Sequence, residues 1–132
     1  MKVFLDNNLS PVLARALAEL AKHENWSVHH LRDFFPPDTS DADGIRELGT
    51  DQGWTVICAD IRLLKRPHER AALKAGKVPV FALQPGWLDR GFWDQAWLLT
   101  RWLPTIATAA TSYPPGTFVR VPATHRPSFL SP

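Results

Sequence analysis

The sequence predicts an α/β fold: a three-layer sandwich around a mostly parallel central sheet of four to five strands. Three observations carry this. Short apolar runs that suit buried strands recur along the chain. Segments with helical periodicity separate them, an alternation that favours parallel strands covered on both faces. Length sets the last bound, since 132 residues suit one domain able to bury a real core.

The elements follow in order. Val3-Phe4-Leu5 is a short apolar run ending at Asp6. Ser10 is a good N-cap and Pro11 suits the first helical position. Leu9, Leu13, Ala16, Leu17 and Leu20 then repeat at helical spacing, which predicts an amphipathic helix over about 10–22. Ser27 to Leu31 is the expected second strand, and residues 32–40, with Pro36-Pro37-Asp38, are expected to be loop. A helix starting near Ser40 or Asp41 would bury Ile45 and Leu48 and stop near Gly53. Trp54 to Ala59 is the strongest strand, ending at Asp60. Pro67 opens another helix and Gly76 closes it. Val78 to Leu83 is the next strand, with Pro79 marking its start or a sheet edge.

Residues 88–111 form the longest helical stretch, which Pro104 is expected to kink or divide. A turn at Tyr113-Pro114-Pro115-Gly116 leads into a last strand over Thr117 to Val121. The expected domain is 1–122, with 123–132 a loose tail.

Composition narrows the function. A single cysteine, Cys58, excludes an internal disulfide and a Cys-rich zinc site. No apolar run approaches the ~18 residues of a spanning helix, and the N-terminus reads as a strand, so no membrane partner and a cytoplasmic location are expected. Net charge is only +2, so local clustering of basic residues outweighs the sum.

The chemistry is expected at the strand ends, because ligands of parallel sheets sit outside their carboxyl edge. Asp6 follows the first strand and Asp60 the third. If those strands are neighbours, the two anions share an edge and call for a cation. Asp41 can reach the same edge from its helix start, with Asp43 and Asn8 nearby. Such oxygen donors suit Mg²⁺ or Mn²⁺. Each acid also has a structural role open to it, as a helix cap or a turn residue.

These residues resemble a family. Met1-Lys2-Val3-Phe4-Leu5-Asp6-Asn7-Asn8-Leu9-Ser10 looks like the opening of small PIN-like domains, in which a strand ends in Asp before a helix. Ser40-Asp41-Ala42-Asp43-Gly44-Ile45 resembles their second acidic motif, and Val56-Ile57-Cys58-Ala59-Asp60 their later strand end. Arg66-Pro67-His68-Glu69, followed by Ala71-Ala72-Leu73, resembles the VapC-toxin-like branch.

The resemblance implies a metal-dependent endoribonuclease, the toxin of a toxin–antitoxin pair, with RNA as substrate and an antitoxin as a further partner. Asp6, Asp41 and Asp60 would be its catalytic metal ligands, with Asp43 a possible additional one; one of these four would be the general base, and Asn8 and Glu69 would be supporting residues. The chain departs from the pattern in two places. Cys58-Ala59 stand where a Thr or Ser usually precedes the last acid, and no further acid closely follows Asp60. A thinner acidic set also fits a catalytically inactive PIN-like scaffold that binds RNA or a partner. An Asp-phosphoacceptor domain is a third reading, weakened because Asp6-Asn7-Asn8 lacks the paired acids it needs.

Arg62, Lys65 and Arg66 follow Asp60 and could grip RNA phosphates, with Arg70 and Lys74 beyond them and only Glu69 opposed. Among the six tryptophans, four lie in or just before the long C-terminal helix. On a wheel of that helix Phe92, Ala96, Leu99 and Leu103 form one stripe, Trp93 and Trp97 flank it, and Leu98 with Trp102 lie opposite. Asp94 and Arg101 mark the polar strip. An apolar arc this wide predicts burial on two sides, hence an interface through Trp93, Trp97, Leu98 and Trp102 with a second copy in a homodimer, or with an antitoxin, unless the C-terminal strand and the tail from 113 onward cover the extra face.

Overall fold

The computed structural model describes residues 1–48, 53–59, 66–75 and 77–124, with the backbone alone at residues 41, 42, 45, 48, 68, 69, 72 and 73. The elements are β1 (Lys2–Leu5), α1 (Pro11–Ala21), β2 (Ser27–His30), α2 (Leu31–Phe34), α3 (Asp41–Leu48), β3 (Trp54–Cys58), α4 (Pro67–Ala75), β4 (Val80–Leu83), α5 (Phe92–Ala110) and β5 (Phe118–Val121). The five strands form one sheet in the order β2-β1-β3-β4-β5, and all four pairings are parallel. This is the expected sandwich, with every carboxyl strand end on one edge.

Side chains alternate between two cores, as the period of two in a strand requires. Val3, Leu5, Ile57, Phe81 and Val119 face α1 and α5, where Leu13, Leu17, Leu98, Trp102 and Ile106 meet them. Phe4, Val56, Cys58 and Val80 face the other way, against Leu31 of α2 and the half-buried Phe35. The rings of Phe4 and Trp54 meet edge to face there. Cys58 is buried, the role a small strand residue is expected to take.

Local signals set several boundaries. The Ser10 hydroxyl accepts from the backbone N–H of Val12 and Leu13, so α1 starts where its cap does. Pro79 precedes β4, and its carbonyl accepts from Val56 N–H, so it supplies an acceptor where it has no donor to offer. Gly116 enters β5 at φ +81°, and a Cβ there would lie 2.7 Å from the Lys74 carbonyl oxygen. Only glycine allows α4 and the β5 turn to approach so closely.

Two elements depart from expectation. Residues 31–34 form a helix turn rather than loop, because His30 caps it through its side chain. Pro104 does not divide α5, which runs unbroken from Phe92 to Ala110. Pro104 and Thr100, whose carbonyl loses its helical donor, are both exposed, so water can satisfy that carbonyl.

Candidate functional site

The carboxyl edge of β1, β2 and β3 holds a compact polar knot, built from the backbone outward. The β1–β3 pairing matches Leu5 with Ile57 and continues through an Asp6 N–H bond to the Ile57 carbonyl at 3.2 Å. Asp6 thus lies in line with the end of β3, fully buried. Its carboxylate is engaged at both oxygens. Oδ2 accepts from Ala59 N–H at 2.7 Å, tying together residues 53 apart in sequence, and Oδ1 accepts from Asn8 N–H at 3.1 Å. The first bond joins the two strand ends; the second closes the Asn7–Asn8 turn as an Asx turn does. Ionised acceptors make such bonds strong.

His30 forms the second half of the knot. It ends β2, is buried, and spends both ring nitrogens locally. Nδ1 accepts from Arg32 N–H at 3.1 Å, which leaves Nε2 as the protonated nitrogen, donating to the Leu9 carbonyl at 2.7 Å. His30 is therefore held as the neutral Nε2–H tautomer. Asp33 Oδ2 accepts from the His30 backbone N–H at 2.9 Å, completing a reciprocal capping box over α2. Arg32 Nε donates to Asn7 Oδ1 at 3.0 Å and so links the β2 end to the β1 turn.

The remaining acids are placed as follows. Asp41 is the first residue of α3, and its side chain lies outside the described residues, as do Asp60, Arg62, Lys65 and the side chain of Glu69. Asp43 is exposed in the first turn of α3, its Oδ1 3.2 Å from Arg46 Nη2. Its backbone N–H bonds the Ser40 hydroxyl. Asn8 contributes its backbone N–H to the Asp6 tie, while its side chain is exposed.

Among the described residues no group of three or more His, Cys, Asp or Glu side chains comes together to hold a metal ion. This overturns the expectation of a Mg²⁺- or Mn²⁺-dependent ribonuclease. The catalytic, metal-binding, nuclease, hydrolase and toxin roles inferred for the chain are corrected accordingly. The physical reason is visible at Asp6. Its carboxylate holds the strand ends together through two backbone N–H groups, and among the described residues no second and third His, Cys, Asp or Glu side chain joins it.

Sequence reasoning missed His30, Arg32 and Asp33. His30 falls inside the expected second strand, where a helix cap is not looked for. The signal was the His30-x-x-Asp33 spacing, a capping-box pattern with histidine in the Ser or Thr position.

Two other features complete the surface. Arg66, Arg70 and Lys74 are exposed on α4 and at its start, four residues apart and hence on one helical stripe. The Arg70 guanidinium lies 5.4 Å from the Phe118 ring centroid. On α5, Leu98 and Trp102 are buried in the chain's own core, and Trp102 Nε1 donates to the Thr124 carbonyl. The assembly surface drawn from the sequence therefore narrows to Trp93 and Trp97, which are 82% and 50% exposed.

A doubly covered, all-parallel sheet with a polar knot at its carboxyl edge defines a strand-edge α/β domain. The family model described as a PIN like domain matches residues 1–85, which include β1 to β4 and the knot. The chain belongs to that family. Comparison with curated proteins and with solved structures gives no significant match.

Proposed function

We propose that this chain is a PIN-like scaffold that binds RNA without cutting it. The observation that carries the reading is the exposed Arg66–Arg70–Lys74 stripe. Four-residue steps at 1.5 Å rise set these cations about 6 Å apart along the helix, a row suited to successive phosphates. Arg62 and Lys65 add basic residues in the segment that leads to it. Loss of cleavage is supported by the buried, doubly bonded Asp6 carboxylate.

The proposal includes a cytoplasmic location. Among the described residues no helix is long and apolar enough to cross a membrane. Within the family, the Arg66-Pro67-His68-Glu69 and Ala71-Ala72-Leu73 pattern supports a place near the VapC-toxin-like branch.

The test is fluorescence anisotropy with a labelled single-stranded RNA across a salt series, with Mn²⁺ present and the RNA examined afterwards for cuts. Wild type binds, with affinity falling as salt rises, and leaves the RNA intact. Replacing Arg66, Arg70 and Lys74 together by Ala weakens binding to all sequences alike. It also flattens the logarithmic salt slope by about 2, at about 0.7 per lost phosphate contact on a single strand. An unchanged slope in the triple variant assigns the stripe to an ordinary solvated face and sinks the proposal.

A further inference from the structure

The amino edge of the sheet, opposite the knot, holds a cavity of about 330 Å³ that the RNA-binding reading does not use. Met1, Gly53 and Pro79 border it, and each stands just before a strand. The C-terminal end of α5 forms the facing wall through Ala107 and Ala110, with Thr111 just beyond. A space of this size falls at the lower end of small-molecule sites. Two polar groups stand out against its largely apolar walls.

The first is Thr55, the one hydroxyl residue of β3. It pairs with Val3 and so faces α5, as Val3 does. The residue is only 4% exposed. Among the described residues its hydroxyl has no hydrogen-bond partner, yet every side-chain oxygen or nitrogen sealed from solvent has one. The hydroxyl therefore opens into the cavity that Thr55 lines. A hydroxyl without a partner in a buried strand costs stability that a valine there would not, so its place calls for a partner. Thr111, the other hydroxyl at the cavity, already donates to the Thr108 carbonyl at 2.8 Å.

The second is Lys77, which borders the cavity at φ +58° and is exposed. Among the described residues its ammonium has no hydrogen-bond or ion-pair partner, and no acid lines the cavity. Val56 pairs with Val80 and bonds the Pro79 carbonyl, so Pro79 lies beside Thr55 and Lys77 is two residues away. Neighbouring strands and the reach of two residues then set the Thr55 and Lys77 Cα atoms within roughly 12 Å. One small molecule can touch both side chains.

We propose that this cavity binds a small monocarboxylate with an apolar body and a second hydrogen-bonding group at its far end. Exposure sets its direction. The carboxylate pairs with Lys77 at the rim, the body lies against Ala107, Ala110 and Pro79, and the far group meets the buried Thr55 hydroxyl. A single lysine, a point charge without the arginine fork, suits one negative charge.

A titration of the full chain followed by amide NMR tests it, with para-hydroxyphenylacetate and phenylacetate as probes. The first carries the far hydroxyl and the second lacks it. Wild type binds para-hydroxyphenylacetate saturably in the sub-millimolar range, with shifts centred on Thr55, Lys77, Ala107 and Ala110. It binds phenylacetate about fivefold more weakly. Thr55→Val erases that preference and leaves phenylacetate within about twofold. Lys77→Met weakens both probes by about threefold, a modest loss because the pair is exposed. Ala110→Leu fills the cavity and stops both, with circular dichroism as the check on folding. No saturable binding by wild type overturns the proposal. So does a preference unchanged in Thr55→Val, which leaves that hydroxyl to water. Inorganic phosphate bound at the same residues as tightly as the probes also overturns it, since charge alone would then be read. None of these outcomes depends on RNA.

Discussion

The core beneath α5 and the centre of the polar knot at the strand ends, Asp6 and His30, are both buried, yet different forces hold them. Under α5, Trp102, Leu98, Ile106, Phe81 and Val119 gain by area, a term without direction that tolerates exchange of one apolar shape for a similar one. In the knot, Asp6 and His30 gain through hydrogen bonds whose donors and acceptors must each be matched in position and kind. The lesson concerns Asp6. An acid at a strand end in this family suggests chemistry, but an acid bonded like this one carries architecture.

Substitutions in the two regions sharpen the contrast, beginning with the largest effect. Trp102→Ala empties the centre of the α5 core and strands the Thr124 carbonyl. It is expected to cost about 3–5 kcal/mol in urea denaturation. Trp93→Ala, on the same helix but 82% exposed, changes stability by less than about 0.5 kcal/mol when measured on dilute monomer. Similar losses for the two would erase the distinction between the faces of α5.

The knot comes next. Asp6→Asn keeps the volume but turns one acceptor into a donor facing a backbone N–H. A loss of about 1–3 kcal/mol follows, while Asp6→Leu leaves both N–H groups without that acceptor and is at least as damaging. Millimolar Mg²⁺ should leave the wild-type melting temperature unmoved, since a ligand that binds the native state raises it. A rise that disappears in Asp6→Asn would return the carboxylate to metal binding.

His30→Ala removes a cap and the bond to the Leu9 carbonyl, for about 1–2 kcal/mol, with faster amide exchange in residues 31–34. His30→Asn can still accept from Arg32 N–H and is expected to recover part of that loss. The smallest effect belongs to Arg70→Ala on the exposed α4 stripe, within about 0.5 kcal/mol in stability. Its cost should appear in RNA affinity instead.

Much of the fold is legible in the residue pattern. The apolar run before Asp6, the Ser10-Pro11 start, the Trp54 to Ala59 strand and the long final helix all lie where local chemistry puts them. Period and capping act over a few neighbours, so a linear string records them. The short helix after His30 was obscured because its cap is a histidine, a residue type that seldom announces a helix start.

Sequence alone determined most of the elements, their parallel arrangement and the family to which the chain belongs. Tertiary structure decided what the acids and tryptophans do. Whether Asp6 faces an open site or two backbone N–H groups depends on Ala59, brought beside it by the β1–β3 pairing from 53 residues away. Whether Trp102 or Trp93 reaches solvent depends on the phase at which α5 meets the sheet, with Trp102 buried and Trp93 exposed. Residue type sets what a side chain can bond. Only the assembled fold sets which partner arrives.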